Sequence, residues 1–457
     1  MHLSSNFISS NLPVLRRIYA IWWPLALSWG FMGLEQPLVS AVISRLANPT
    51  IQLAAMGGVV FPLALIIESP IVMLLAAATA LTDHKQAYTR MYTFMMWTCG
   101  LITVFHALLA FTPLFDLVVV QWMRPPTEII EPARMGLRLM LPWTWSIGYR
   151  RFHQGVLIRY GSSSAISLGT ALRLLGNGVG MATGVMLRQP GIVVAALGIS
   201  CGVLTEAVFI GLRARPIIKH YIKDATDSVE HLSWQHFQRF YVPLALTSFV
   251  LLFSQPLGAF ALNRMPNPLT SNAVWPVLVS FIFLFRSMGF AYNEVVVTSL
   301  KENVASFRDL RRFALILSSV LTSLLIILAF TPLAASYFER IVSLPDELAT
   351  IAEAAFVYCI LWPAVSCLRN LYQGLIVAKG NTRYVTEAVV VSLVVSALLL
   401  FSGVVLASIP GIYVAILAFL MGNAAQVGWL AWRSRTVLER LDQEGDTFKL
   451  QPATSTT

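Results

Sequence analysis

The sequence predicts an all-α integral membrane protein: twelve transmembrane helices in two parallel-repeat six-helix bundles, with both termini in the cytoplasm. Three observations carry that expectation: an apolar composition, a one-sided distribution of basic residues and an internal repeat. Of the 457 residues, 57% are hydrophobic and 12% are charged, and the mean hydropathy is +0.71. A soluble domain carries roughly 25% charged residues. Lipid solvates apolar side chains, and each crossing takes about 20 mostly apolar residues. Runs of that size fall at 18–44, 53–81, 89–112, 134–158, 164–187, 190–213, 238–264, 270–299, 312–332, 350–378, 384–407 and 410–433. The first is too long for a signal-peptide core and lacks a small-residue cleavage site, so it reads as a retained helix.

The charge pattern sets the orientation. The two ends and the gaps after even-numbered runs hold 20 Lys and Arg residues, among them Arg16, Arg17, Arg159, Arg213, Lys219, Lys301, Lys379 and Arg433, against 6 on the other side. The positive-inside rule then places both termini in the cytoplasm. The net charge of +10 is loop charge of this kind and implies no nucleic-acid partner.

The repeat holds one offset of 219 residues. Pro24-Leu25-Ala26-Leu27 matches Pro243-Leu244-Ala245-Leu246, Gln36-Pro37-Leu38 matches Gln255-Pro256-Leu257, and Arg45 matches Arg264. Ala110 to Leu114 matches Ala329 to Leu333, Arg150 matches Arg369, and Gln154-Gly155 matches Gln373-Gly374. One residue of slippage later, Pro190-Gly191-Ile192 matches Pro410-Gly411-Ile412. Six helices per repeat make the two copies parallel. The expected organisation is a segment 1–17, a first bundle 18–213, a polar linker 214–237, a second bundle 238–433 and a tail 434–457.

Pro24-Leu25-Ala26-Leu27, Gln36-Pro37-Leu38 and Leu53-Ala54-Ala55-Met56-Gly57 together resemble the opening of multidrug and toxic-compound extrusion (MATE) transporters, and the second half restarts in the same way. Within the wider MOP exporter superfamily, Gly33-Leu34-Glu35-Gln36 and Trp22-Trp23-Pro24-Leu25-Ala26-Leu27 resemble motifs of progressive-ankylosis (ANK) transporters. The resemblance implies a secondary transporter, and the ANK likeness implies export of an organic or phosphate-bearing anion. An acidic residue expected shortly after Gln-Pro in MATE transporters is missing, since Val39, Ser40, Ala41 and Val42 stand there.

Ionisable residues inside apolar helices are costly and mark functional sites. Arg150 and Gln154 share a helix face, as do Arg369 and Gln373 in the repeat, with His153 beside Arg150. Arg keeps its charge and presents several fixed donors, so Arg150, His153, Gln154, Arg369, Gln373 and Arg286 form the expected substrate-binding set. Snorkelling towards the cytoplasmic surface is the competing reading of these arginines. Glu35 and Gln36 beside Pro37, Glu68 between two prolines, and Gln255 form the expected coupling or gating set. Glu68 and Arg286 are placed to pair across the cleft between bundles, and Glu206 to neutralise Arg173. Gly176, Gly180 and Gly184 let a neighbouring helix approach closely.

The four cysteines, Cys99, Cys201, Cys359 and Cys367, show no metal or redox spacing, and no P-loop or catalytic motif is present. The expectation is therefore a non-enzymatic, cofactor-free transporter of the cell membrane, such as a bacterial inner membrane, monomeric and surrounded by lipid. Its cargo is a small anion, moved by alternating access with a proton or sodium ion as coupling partner. A cation-coupled multidrug exporter and a flippase of a lipid-linked saccharide are the alternatives.

Overall fold

The computed structural model describes residues 13–82, 84–162, 164–222, 234–301, 305–379 and 382–449. Within these residues every regular element is helical. Most of the expected N-terminal segment, part of the 214–237 linker and the last eight residues lie outside the described ones.

Prolines break several of the helices. Segment α1 runs Val14–Gly33 and resumes as Glu35–Ser44. Pro37 lacks the N–H that would bond the Gly33 carbonyl four residues back, so the turn at Leu34 loosens. Segment α2 comprises Pro49–Ala55, a wide turn Met56–Val60, Phe61–Glu68 and, after a bend, Leu74–Leu81. Pro62 and Pro70 withhold two further ladder bonds there. Next come α3 (Lys85–Phe111), α4 (Ile130–Leu139 and Leu141–Arg159), α5 (Ser164–Met186) and α6 (Gly191–Ile217). The later segments are α7 (Trp234–Leu262), α8 (Pro268–Lys301), α9 (Phe307–Ala329), α10 (Asp346–Val357 and Trp362–Ala378, bent by 47°), α11 (Thr382–Leu406) and α12 (Gly411–Lys449).

Backbone features recur at the offset read from the sequence. The left-handed residues Asn48, Arg124 and Arg188 each have a left-handed counterpart 219 positions later, at Asn267, Ser343 and Ala407. The wide turn Asp116–Met123 is answered by Ser336–Ile341. Gln52 Oε1 accepts from the Ile192 N–H at 3.0 Å, and Ser271 Oγ accepts from the Ile412 N–H at 3.2 Å, the same helix-end contact with an acceptor side chain of different length.

Packing follows small residues. Cβ atoms added at Gly176 or Gly180 would lie within 3.0 Å of α6 atoms, and one at Gly184 would lie 3.0 Å from Val194, so the glycine row is the seam between α5 and α6. A Cβ at Gly57 would stand 2.6 Å from Pro276, which fixes the close crossing of α2 and α8. Segment α1 packs on α8 and α2 on α7, so each half lends its first helices to the other. Trp22 Nε1 donates to the Met288 carbonyl at 3.0 Å, and the Tyr241 hydroxyl bonds the Pro70 carbonyl. Large apolar side chains such as Trp97, Leu101, Phe330 and Phe401 stay exposed, as a lipid-facing surface requires.

Among the described residues, eight helices are long and apolar enough to cross a membrane, or nine if the bent α10 is one span. The segments that fall short are α1, α4 and α5. These carry Glu35, Arg150, Arg151 and Arg173.

Candidate functional site

A cavity of about 360 Å³ opens between the halves where α1, α2, α4 and α5 meet α7 and α8. Its polar lining is Glu35, Gln36, Glu68, Arg150, Arg151, Arg173 and Gln255, among others, and its apolar wall includes Trp143, Trp275 and Phe283. The break at Leu34 turns Glu35 and Gln36 into this space.

The charges are largely spent on one another. Arg173 Nη2 lies 2.5 Å from Glu35 Oε2, and Asn177 Nδ2 donates to Glu35 Oε1 at 2.9 Å. Arg150 Nη1 donates to Glu206 Oε2 at 2.7 Å, Gln154 Nε2 donates to Glu206 Oε1 at 3.0 Å, and Arg173 Nη1 stands 3.8 Å from Glu206. Glu206 is fully buried. A buried carboxylate is tolerable only with such partners, because the desolvation of each ion costs several kcal/mol. Two cavity groups stay outside this network. Neither Glu68 nor Arg151 makes a hydrogen bond or ion pair of 4 Å or less among the described residues.

The second half is built differently at matching positions. Arg150 keeps its counterpart, Arg369, but Glu35 becomes Ser254, Glu68 becomes Ser287, Glu206 becomes Gln426 and Arg151 becomes Asn370. A second arginine, Arg286, replaces Ile67. Arg369 Nη1 donates to Asn423 Oδ1 at 3.1 Å, and its Nε is buried without a partner. Arg286 and Arg369 lie over the Phe290 ring, at 5.8 and 5.2 Å, and Arg286 lies 5.0 Å over Trp362. Among the described residues no carboxylate pairs with either arginine. Phe283, in the cavity wall, contacts Phe290 at a ring distance of 5.7 Å, so the two arginines sit one aromatic layer beyond the cavity.

The structure thus gathers Glu35, Gln36, Glu68, Arg150 and Gln255 at the cavity and Gln154 just behind it. It keeps Arg286, Arg369 and Gln373 apart from that lining. His153 is buried among Tyr92, Tyr149 and Phe152, with Nδ1 2.8 Å from the Tyr149 carbonyl, and does not line the cavity. The expected Glu68–Arg286 pair does not form: Arg286 is drawn onto the Phe290 and Trp362 rings, while Glu68 faces the first-half arginines. Glu206 lies nearer to Arg150 than to its expected partner Arg173, because Arg173 is engaged by Glu35. Arg151, Arg173 and Asn177 were absent from the expected site set. The signal that points to them is the set of acids in the first half that the repeat fails to copy.

No family model matches the chain, and no curated protein matches it in sequence. Solved structures do. An inward-facing MATE family transporter of the MOP superfamily superposes with a TM-score of 0.70 at 14% identity, covering 93% of this chain and 99% of that one. The chain has the MATE fold. The lipid II flippase MurJ in an inward closed conformation superposes with a TM-score of 0.69 at 13% identity, covering 90% and 87%. A MOP superfamily transporter from Pyrococcus furiosus, described as having a binding pocket of reverse polarity, gives 0.62 at 17% identity over 94% and 98%. At these identities the likeness defines the MATE fold and leaves the chemistry to this chain's own residues.

Proposed function

We propose that this protein is a secondary transporter that moves an organic or phosphate-bearing anion by alternating access of the space between its halves. The observation that carries the reading is the uncompensated pair Arg286 and Arg369 in the second half. Two half-buried guanidinium groups, held over aromatic rings with no carboxylate beside them among the described residues, favour an anion, since a partly desolvated charge is stabilised by a counter-charge. The first half supplies the template. There Glu206 accepts from Arg150 and Gln154 together. In the second half Arg369 and Gln373 repeat that donor pair in sequence, and among the described residues no carboxylate answers Arg369. The cargo's own carboxylate or phosphate takes the vacant role, bound by forked, charge-assisted hydrogen bonds.

The same reading assigns coupling to Glu68, the cavity carboxylate outside the ion-pair network, with Gln36 and Gln255 flanking the path and Glu35 held by Arg173. Arg150 and Gln154 then serve to hold Glu206 in the first half, and His153 packs among its aromatic neighbours, so the cargo ligands are Arg286, Arg369 and Gln373. Export as the direction, twelve crossings with cytoplasmic termini, a monomeric state in the cell membrane and kinship with progressive-ankylosis transporters complete the proposal. A second reading, a cation-coupled drug exporter, is favoured by the unbonded Glu68 alone. A flippase of lipid-linked saccharide is the third outcome.

Thermal unfolding of the purified protein, screened over organic phosphates, polycarboxylates, lipophilic cations and lipid-linked saccharides, separates these readings. Selective stabilisation by anions, lost in Arg286→Gln/Arg369→Gln, supports the proposal. Stabilisation by cations that disappears in Glu68→Gln replaces it with the drug exporter.

A further inference from the structure

At one end of the molecule each half reaches into the other with an arginine. Arg45, just after α1, donates from Nη1 to the Val342 carbonyl at 3.2 Å. Its Nη2 donates to the carbonyls of Arg340 at 3.2 Å and Ile341 at 2.7 Å. Arg264, just after α7, donates from Nη1 to the Met123 carbonyl at 3.1 Å and from Nη2 to the Trp122 carbonyl at 2.5 Å. Asn263 adds a bond to Met123 at 3.2 Å. The exchange is reciprocal in the repeat: Arg45 and Arg264 are 219 apart, as are Trp122 and Ile341, and Met123 and Val342. Each guanidinium is also pinned to its own helix, Arg45 at the Ala41 carbonyl (2.6 Å) and Arg264 at that of Phe260 (3.0 Å).

The accepting carbonyls have a physical reason to take a cation. They end the wide helical turns Asp116–Met123 and Ser336–Ile341, just before the chain swings through left-handed Arg124 and Ser343. The last carbonyls of a helix have no partner within it and carry its negative dipole end. A forked guanidinium suits neighbouring carbonyls, which an ammonium meets only as a point charge. A residue of the same half would cap these turns equally well. Local residues do take two carbonyls, Arg124 Nε that of Gln121 and Ser343 Oγ that of Arg340, each at 3.1 Å, but the carbonyls of Trp122, Met123, Ile341 and Val342 are met from the opposite half, just after the helices α1 and α7 that line the cavity.

We propose that Arg45 and Arg264 are reciprocal latches. They hold the two halves together at the end bearing the α3–α4 and α9–α10 connections, and both must release before the cavity opens there. This rests on the alternating-access reading, but its test requires neither cargo nor transport. Cysteines placed at the exposed positions Gln121 and Glu339, one in each half, carry spin labels, with Cys99, Cys201, Cys359 and Cys367 replaced by Ala. The distance between labels is then measured in lipid nanodiscs by pulsed electron spin resonance. The parent protein should give mainly one short distance. In Arg45→Gln/Arg264→Gln a longer population should become the major one, and each single variant should fall between. If the double variant does not fold, Arg45→Lys/Arg264→Lys is read instead. It keeps the charge, loses the fork and should show a partial shift. An unchanged distance distribution in a folded double Gln or double Lys variant overturns the proposal. A long distance already dominant in the parent does so as well.

Discussion

The two halves answer the same problem, an arginine held among apolar helices, in opposite ways. In the first half Arg150 meets Glu206 at 2.7 Å, Arg173 meets Glu35 at 2.5 Å, and Gln154 and Asn177 fill the remaining acceptor positions. In the second half Arg369 has an amide, Asn423, and its companion Arg286 has, among the described residues, aromatic faces and no carboxylate. The backbone repeats closely while the charges do not. A duplicated fold therefore offers two equivalent places for a polar site, one of which the protein has neutralised internally and the other left open. The lesson concerns where to look: the informative position in a repeat protein is the one where a partner is missing.

The same substitution should destabilise the first half and not the second. Arg150→Gln strands the carboxylate of Glu206 and should lower stability by about 3 kcal/mol, the low end for a broken buried pair, since Arg173 still faces Glu206 at 3.8 Å. Arg369→Gln removes a charge that has no counter-ion and should leave the melting temperature unchanged or raised. Thermal melts of both variants without added ligand check this, and two equal losses would break the comparison.

The next effect is on coupling. Glu68→Gln should flatten the pH dependence of transport in proteoliposomes, with expression and melting close to the parent. Ser287→Ala, at the matching second-half position, should leave the pH profile intact. If the two variants behave alike, Glu68 has no special part in coupling.

The smallest effects should be equal in the two halves. Gln52→Ala and Ser271→Ala each remove one side-chain acceptor from a helix-end N–H. Each should cost about 1 kcal/mol, the usual net worth of such a bond. A severalfold difference between them in denaturation measurements would show that the shared backbone frame is not energetically shared.

The sequence made the helices and the register of the repeat legible, because both rest on periodicity and spacing. The match of Arg45 with Arg264 carries into equivalent contacts, and the structure adds Gln52 and Ser271 at the same offset. It did not make legible which face each helix turns to its neighbour. Helical spacing put Arg150, His153 and Gln154 together, yet His153 enters an aromatic cluster while the other two bind Glu206. Glu68 was matched to Arg286 by pseudo-symmetry, which says that two helices face each other but not how each is rotated. The latches were also hidden, since their acceptors are main-chain carbonyls that no residue type announces.

The central claim is that cargo takes the place of the carboxylate missing from the second half. The most direct measurement is the affinity of the best anion from the stabilisation screen for the parent protein and for Asn423→Asp, by titration calorimetry. Asn423 Oδ1 already accepts from Arg369 at 3.1 Å, so an aspartate there supplies the missing charge with almost no change in shape. The account predicts that Asn423→Asp is at least as stable as the parent and loses anion affinity by tenfold or more, about 1.4 kcal/mol. An Asn423→Asp protein that folds and binds the anion as tightly as the parent would contradict it.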